Sequence, residues 1–400
     1  MNGMKDLLAE IAAEAMPYDV TDRAIRTARR QRRTVWAASL AVATLVAVGL
    51  VAALPLRPPG PDGPTVASVA WLPRHLAPVG STPRLPSGPV ASAVLAYTQN
   101  SGATTLLTED GQRYALDGAV RAISPDGRWL AVTRGETLTL RDLNGTANRT
   151  LGDGIKTDVA AWSADGRWLA LRTGDADPVS QRTAVVDLAT GREAGTVPAG
   201  RYGRAYVCGL RDTPELVLCA GEDASPRFDL WVIDGTTGHQ LRHETVDPSA
   251  VLTDSERKAD WVVRPGLPDN TGRLLPDGRT LVVRTFDYRA DEGVTIPDDM
   301  LAADLDQPDE QPRRYAIPDP TLGKAHPNPD GSTTNYDTGE FRHGLAGVDG
   351  GIVIAHLVPS GRAERVAGLE MLDTSSGTLA KITTVSGDIR AVVVRGQATG

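Results

Sequence analysis

The sequence predicts an all-β fold made of repeated four-stranded sheets, and three observations predict it. A pair of Asp-centred markers returns in the same order five times after residue 120. The segments between the markers are short apolar runs rich in β-branched and aromatic residues, bounded by Gly-containing turns. The last apolar strand of the chain has no partner left in its own unit. Units of roughly 40 to 70 residues with about four strands each form the pattern of a β-propeller, whose radial repetition leaves only short, protected edges.

The first marker appears as SPDGRWLAV around Asp126, SADGRWLAL around Asp165, LRDTPELVL around Asp212, LPDGRTLVV around Asp277 and GVDGGIVIA around Asp349. The second appears as LRDLNG at Asp142, VVDLATG at Asp187, VIDGTTG at Asp234, AADLDQ at Asp304 and MLDTSSG at Asp373. Asp-Gly suits a reversal between antiparallel strands because Gly accepts positive φ and Asp bonds its own backbone two residues on. That accounts for the repeated Asp residues as turn formers, and leaves Trp129, Trp168 and Leu281 after them as core positions.

Five marked units and one earlier unit make six blades. The earlier one enters at Ala93 to Tyr97, passes a turn at Asp110 and continues through QRYAL, so it lacks an innermost strand. The closing segment from Asp388 to Gly396 is expected to supply that strand and remove two open sheet edges.

Ahead of the propeller, assigned to residues 91–396, three further segments are expected. Residues 1–33 read as a cytoplasmic tail whose helix places Leu7, Leu8, Ile11 and Ala15 on one face, ended by Pro17. Residues 34–56 are an uncharged run preceded by Arg29, Arg30, Arg32 and Arg33. About 20 helical residues cross the roughly 30 Å hydrocarbon core, and a basic cluster stays on the cytoplasmic side. The reading is a retained single span with the propeller outside the cytoplasm. The competing reading is a cleaved leader, which the length of the run and the lack of an A-x-A site argue against.

Residues 57–90 form a Pro-rich linker, holding nine of the ten prolines from Pro55 to Pro89, and read as a semi-rigid stalk. Within it the apolar island containing Trp71 and Leu72 is expected to dock on the propeller. The tail carries seven Lys/Arg and five Asp/Glu, so a chain of net charge −8 leaves about −10 for the rest. An acidic ectodomain does not suit nucleic acid, whose phosphates select for a basic face.

Cys208 and Cys219, the two cysteines of the chain, flank the RDTPE turn and read as a disulfide across a hairpin in an oxidising exterior, or else as two buried thiols. Catalytic chemistry is thin. There is no G-x-S-x-G elbow, phosphate-cradling loop, H-E-x-x-H or C-x-x-C. His239 and His243 stand too far apart on a strand to share an ion. No enzyme, cofactor or metal is therefore expected.

If the Asp turns share one face, the opposite face carries the long polar segments 286–299 and 318–343, with 174–182 shorter. Asp287, Tyr288, Asp291, His326, Asp330 and Tyr336 are the candidate binding residues there. Asp287, Asp291, Glu292, Asp298 and Asp299 match no Ca²⁺ loop with fixed ligand spacing and read as solvated acids. Thr253 to Glu256 reads as a capping box for a short helix.

The S-P-D-G-R-x-L-A copies, best at Ser124 to Val132 and Ser163 to Leu171, resemble the TolB-type, WD-repeat-like propeller repeats of bacterial envelope proteins. The resemblance covers about residues 91–396 and implies the propeller fold. The whole layout is also similar to uncharacterised anchored propellers of actinobacteria, and in plan to some transmembrane anti-sigma factors. No Cys or His precedes residue 60, so the zinc-containing motif of those factors is absent.

Three functions follow as expectations: a non-enzymatic module binding a protein, peptide or glycan; a transmembrane sensor signalling to a cytosolic protein through Leu7 to Ala15; and a propeller hydrolase or lyase.

Overall fold

Among the described residues, six sheets, each built on four antiparallel strands and one of them extended by a fifth, parallel strand, close into a ring. The computed structural model describes residues 69–396 apart from 154–156, 175–180, 203–204, 222–225, 259–271, 290–293, 318–324, 328–332, 337–340 and 361–362. The expected tail helix with Leu7, Leu8, Ile11 and Ala15, the apolar run 34–56 and the first part of the linker lie outside the described residues. Among the described residues no helix is long and apolar enough to cross a membrane.

A short strand β1 (His75–Leu76) comes first. Blade 1 contains β2 (Ala93–Gln99), β3 (Thr104–Thr108) and β4 (Arg113–Leu116). Blade 2 is β5 (Ala119–Ile123), β6 (Trp129–Arg134), β7 (Thr137–Asp142) and β8 (Asn148–Asp153). Blade 3 is β9 (Thr157–Trp162), β10 (Trp168–Thr173), β11 (Arg182–Asp187) and β12 (Arg192–Pro198). Blade 4 is β13 (Tyr206–Leu210), β14 (Glu215–Gly221), β15 (Phe228–Asp234) and β16 (Gln240–Val246), followed by a helical turn α1 (Asp254–Lys258).

Blade 5 is β17 (Arg273–Leu274), β18 (Thr280–Arg289), β19 (Val294–Asp304) and β20 (Arg313–Tyr315). A small hairpin, β21 (Ala325–Pro327) and β22 (Thr333–Tyr336), precedes blade 6. That blade is β23 (Phe341–Val348), β24 (Gly351–Ser360), β25 (Ala363–Asp373) and β26 (Thr378–Val385). The final strand, β27 (Ile389–Val394), leaves blade 6 and pairs antiparallel with β2 as the innermost strand of blade 1, with Leu95 opposite Val394.

The repeat has a physical basis in the turns. Each second-marker Asp accepts the N–H of the residue two further on: Asn144 at Asp142, Ala189 at Asp187, Thr236 at Asp234, Asp306 at Asp304 and Ser375 at Asp373, all at 2.8–3.1 Å. First-marker Asp126, Asp165 and Asp277 do the same for Arg128, Arg167 and Arg279. The two markers also hold each other. Arg128 forks onto both Asp142 oxygens at 2.9 and 2.7 Å, and Arg167 repeats the contact on Asp187 at 3.4 and 3.1 Å. Such bidentate pairs fix geometry as well as charge.

Period-two alternation sends each blade's two apolar faces into its neighbours. Six buried clusters result, one at each blade interface. Trp129 and Trp162 fill the interface of blades 2 and 3, and Trp168 that of blades 3 and 4, while Leu281 lies between blades 4 and 5. Near the axis the blades come so close that a Cβ on Gly209 of β13 would collide with the Leu274 side chain of β17.

The segment before blade 1 belongs to the folded ring. β1 adds to blade 6 in parallel, with His75 opposite Thr384, and Val69, Leu72 and Leu76 join the core between blades 6 and 1. The chain then runs along the rim. The Ala77 carbonyl accepts Arg113, Leu85 N–H bonds Ala115 O at 3.0 Å on the edge of β4, and Val90 N–H bonds Leu143 O at 2.7 Å on blade 2. Trp71 stacks under the Arg395 guanidinium at 4.4 Å, and Arg395 also pairs with Glu109. Residues 69–90 are therefore a strap across three blades, where composition alone reads as a spacer.

Cys208 of β13 and Cys219 of β14 are joined in a disulfide, with Cα atoms 6.0 Å apart, inside the core between blades 4 and 5. It closes a short loop, a sequence separation of 11.

Two stability outcomes are expected in urea denaturation. Gly209→Ala should cost about 1–3 kcal/mol by overpacking, whereas Gly238→Ala, at φ +68 with open space around it, should cost about 1 kcal/mol for its left-handed backbone. Replacing both cysteines by Ala should cost about 3 kcal/mol, and reductant should bring the wild-type protein to the same midpoint.

Candidate functional site: the face of extended hairpins

Antiparallel succession within a blade puts its first and third turns at one end of the sheet. The second turn and the crossing to the next blade lie at the other end. All Asp markers accordingly share one face, and the other face receives everything the sequence adds to the basic blade. The additions are unequal. In blades 2 and 3 the two middle strands have six residues each. In blades 5 and 6 they have ten and eleven. Four extra residues carry a hairpin about 13 Å further.

The crossings beside these hairpins are also elaborated. Blade 4 leads into blade 5 through α1, and blade 5 leads into blade 6 through the β21–β22 hairpin. The segment 286–299, expected as an irregular loop, is paired strand up to Arg289 and from Val294. Asp287 lies opposite Ile296 and Tyr288 opposite Thr295. His326 lies opposite Asn335, and Tyr336 opposite Ala325. The topology thus puts two hairpins carrying these four candidates on one face; Asp291 and Asp330 lie outside the described residues.

Asp299 departs from the expected solvated acid. It is buried in β19, where its Oδ2 accepts Arg314 Nε at 2.6 Å and its Oδ1 accepts the Ile317 N–H at 2.8 Å. The same guanidinium donates from Nη1 to Glu256 Oε2 at 2.7 Å and to the Val251 carbonyl at 2.8 Å. Glu256 in turn closes the expected capping box, accepting the N–H and hydroxyl of Thr253 while its own N–H reaches Thr253 Oγ1. Arg314 therefore pins the crossing between blades 4 and 5 onto the outer edge of blade 5. Burial pushes the Glu256 carboxyl up, but the Thr253 donors and Arg314 outweigh it and hold the carboxyl below its ordinary value.

A second charged group lies between blades 5 and 6, beneath the hairpins. Arg342 of β23 donates to both Glu370 oxygens, at 2.7 and 3.4 Å, and His356 Nδ1 stands 4.0 Å from the same carboxylate. From the facing blade, Arg284 donates to the Arg342 carbonyl and Arg273 Nη2 to the Gly344 carbonyl at 2.8 Å. Arg273, Arg284 and Glu370 are buried. The arrangement braces the two elongated hairpins against each other and concentrates basic side chains under them. None of these residues stands out in the sequence; the signal is a charged residue on the inward parity of an apolar strand, as in TLVVRTF and GLEMLD.

On the Asp-turn face, burial and the adjacent Asp165 charge raise Asp212, against N–H donors from Asp165 and Ala164. The hydroxyls of Thr108 and Thr236 hold Asp110 and Asp234 low. These are turn contacts. His243 stacks on Trp231 at 5.0 Å and meets Asp229 at 3.2 Å on the outermost strand of blade 4. Among the described residues no group of three His, Cys, Asp or Glu is placed to hold a metal ion.

Ring, sheet order and closure define the chain as a six-bladed β-propeller of the all-β class. No family model and no curated protein matches the sequence. Among solved structures the chain is similar to a TolB candidate from Agrobacterium tumefaciens, at 14% identity and TM-score 0.38 over 78% of this chain and 92% of that one. It is similar to the β-propeller domain of the Trilobed protease from Pyrococcus furiosus, at 11% identity and TM-score 0.32, over 73% of this chain and 72% of that one. An acylaminoacyl peptidase from Pyrococcus horikoshii matches at 13% identity and TM-score 0.40 over 76% of this chain, which spans 45% of the peptidase. The fold assignment rests on the sheet order.

Glu256→Gln keeps the capping acceptor but removes the charge facing Arg314, and should cost roughly 1–3 kcal/mol at pH 7. A carboxyl held low in the folded state stabilises above its unfolded pKa, 4.5 for Glu, and loses that contribution as pH falls through the folded value. The gap between wild type and variant in denaturation midpoint should therefore shrink steadily below about pH 4.5.

Proposed function

We propose that this chain is a membrane-anchored, extracytoplasmic β-propeller that binds a protein, peptide or glycan on the face of its extended hairpins. The observation that carries the reading is the unequal strand length. The middle strands of blades 2 and 3 have six residues, while those of blades 5 and 6 have ten and eleven and project on one face. Nothing in ring closure requires this asymmetry, and rigid scaffolds carry recognition on their projecting segments. Asp287, Tyr288, Asp291, His326, Asp330 and Tyr336 are the proposed contact residues, with the braced Arg342–Glu370 layer as their support.

Anchorage rests on the sequence, through the uncharged run 34–56 behind Arg29, Arg30, Arg32 and Arg33. The apolar stripe of Leu7, Leu8, Ile11 and Ala15 favours a second reading, in which the tail passes binding on to a cytosolic protein.

One set of pull-downs from detergent-solubilised membranes tests both. Shortening the blade 5 hairpin by joining Arg284 to Asp299 through a Gly-containing turn should remove the envelope partners and leave folding intact by circular dichroism. Leu8→Asp with Ile11→Asp should remove a cytosolic partner if the tail signals, and change nothing if it only anchors. An unaltered envelope partner set in the hairpin variant would place binding elsewhere on the propeller.

A further inference from the structure

A second site lies elsewhere on the ring, on the rim between blades 1 and 2. There the strap passes over the gap between the outer strands and leaves a cavity of about 280 Å³. Its floor is apolar, from Leu116 of blade 1 and Leu130 and Val132 of blade 2, with Leu85 and Pro86 of the strap above. Its polar lining is Arg134, Thr139, Arg141, Thr146, Asn148 and Ser87, which includes two guanidinium groups and no carboxylate.

Arg141 is the unusual member. It sits on β7 at a position whose cross-strand partner is Leu130, an inward, apolar parity. It is 8% exposed. Its Nη2 donates to the strap carbonyls of Ser87 at 2.6 Å, Gly88 at 2.8 Å and, more weakly, Pro86 at 3.4 Å. Its Nη1 and Nε have no acceptor among the described residues, and no acidic side chain pairs with it. The neighbouring Asp142 is already engaged by Arg128. A buried cation costs several kcal/mol unless a countercharge and acceptors compensate it, and burial pulls this guanidinium down from its ordinary value, with Asp142 opposing. The strap carbonyls supply acceptors for one nitrogen and supply no charge.

We infer that the cavity under the strap binds a small carboxylic acid with an apolar body, the carboxylate on Arg141 and the body on Leu116, Leu130 and Val132. The volume, just under the roughly 300–1,000 Å³ of drug-sized ligand pockets, suits a molecule of roughly fragment size. Arg134, whose Nε is tied to the Asp117 carbonyl at 2.6 Å, stands at the rim as a second cation. Because the strap carbonyls and the ligand share one guanidinium, occupancy would also tighten the strap. This site is independent of the hairpin face.

The test is calorimetric titration of the full chain in detergent with phenylacetate, phenylacetamide and acetate. Phenylacetate should bind at least about tenfold more tightly than the isosteric amide, the worth of one charge-assisted hydrogen bond, and more tightly than acetate, which lacks the apolar body. Arg141→Met should abolish the preference for acid over amide. Leu116→Trp, which fills the floor but leaves Arg141 and the strap in place, should abolish binding of both aromatic probes. Equal affinity for acid and amide, binding that survives Leu116→Trp, acetate binding as tightly as phenylacetate, or no binding of phenylacetate to the wild type would each overturn the assignment.

Discussion

Everything in this molecule depends on one antiparallel contact, β27 on β2. A ring of sheets has no core of its own; each interface is buried only if both neighbours are in place, and the six clusters form a circle with no beginning. With β27 removed, blade 1 would show a bare inner edge, and the cluster joining blades 6 and 1 would lose Ile389, Val392 and Val394. The chain reinforces this seam from its other direction too. The strap puts β1 on blade 6, passes blade 1 and reaches blade 2, and Trp71, Arg395 and Glu109 tie strap, closing strand and first blade together.

The closing strand was legible because counting strands left one blade short and one strand over, an argument that needs no side-chain detail. The Asp turns were legible for a similar reason: an Asp that bonds the N–H two residues on is a local interaction, written in adjacent letters. The link between the two markers was not. Arg128 and Asp142 stand fourteen residues apart, and they meet only because Trp129 pairs with Asp142 in the ladder. The docking of the Trp71 and Leu72 island was legible as an apolar stretch in a Pro-rich run, but the remaining course of the strap was hidden for the opposite reason. Its prolines do describe an extended chain, but extension says nothing about what that chain lies against, and His75–Leu76 offers only two residues of strand.

The interface between blades 5 and 6 shows the same limit on the functional side. Arg284 and Glu370 sit in apolar runs, and reading them as inward requires knowing the strand parity. Bulges move that parity between Arg284 and Phe286 and between His356 and Leu357, next to the residues in question. Sequence could rank 286–299 and 318–343 as the variable face. It could not tell that most of the first segment is ordered strand, or that Asp299 turns inward to Arg314.

The parallel pairing of β1 with β26 has a mechanical meaning. A pull along the axis of β1 would load the Thr384 to Arg74 and Ser386 to Leu76 bonds together, in shear. Force that passes them travels on along the rim to blades 1 and 2 instead of prying at one sheet edge. The ring is thus gripped by its own leading segment as by a belt, and a tether attached there would tighten the seam it crosses.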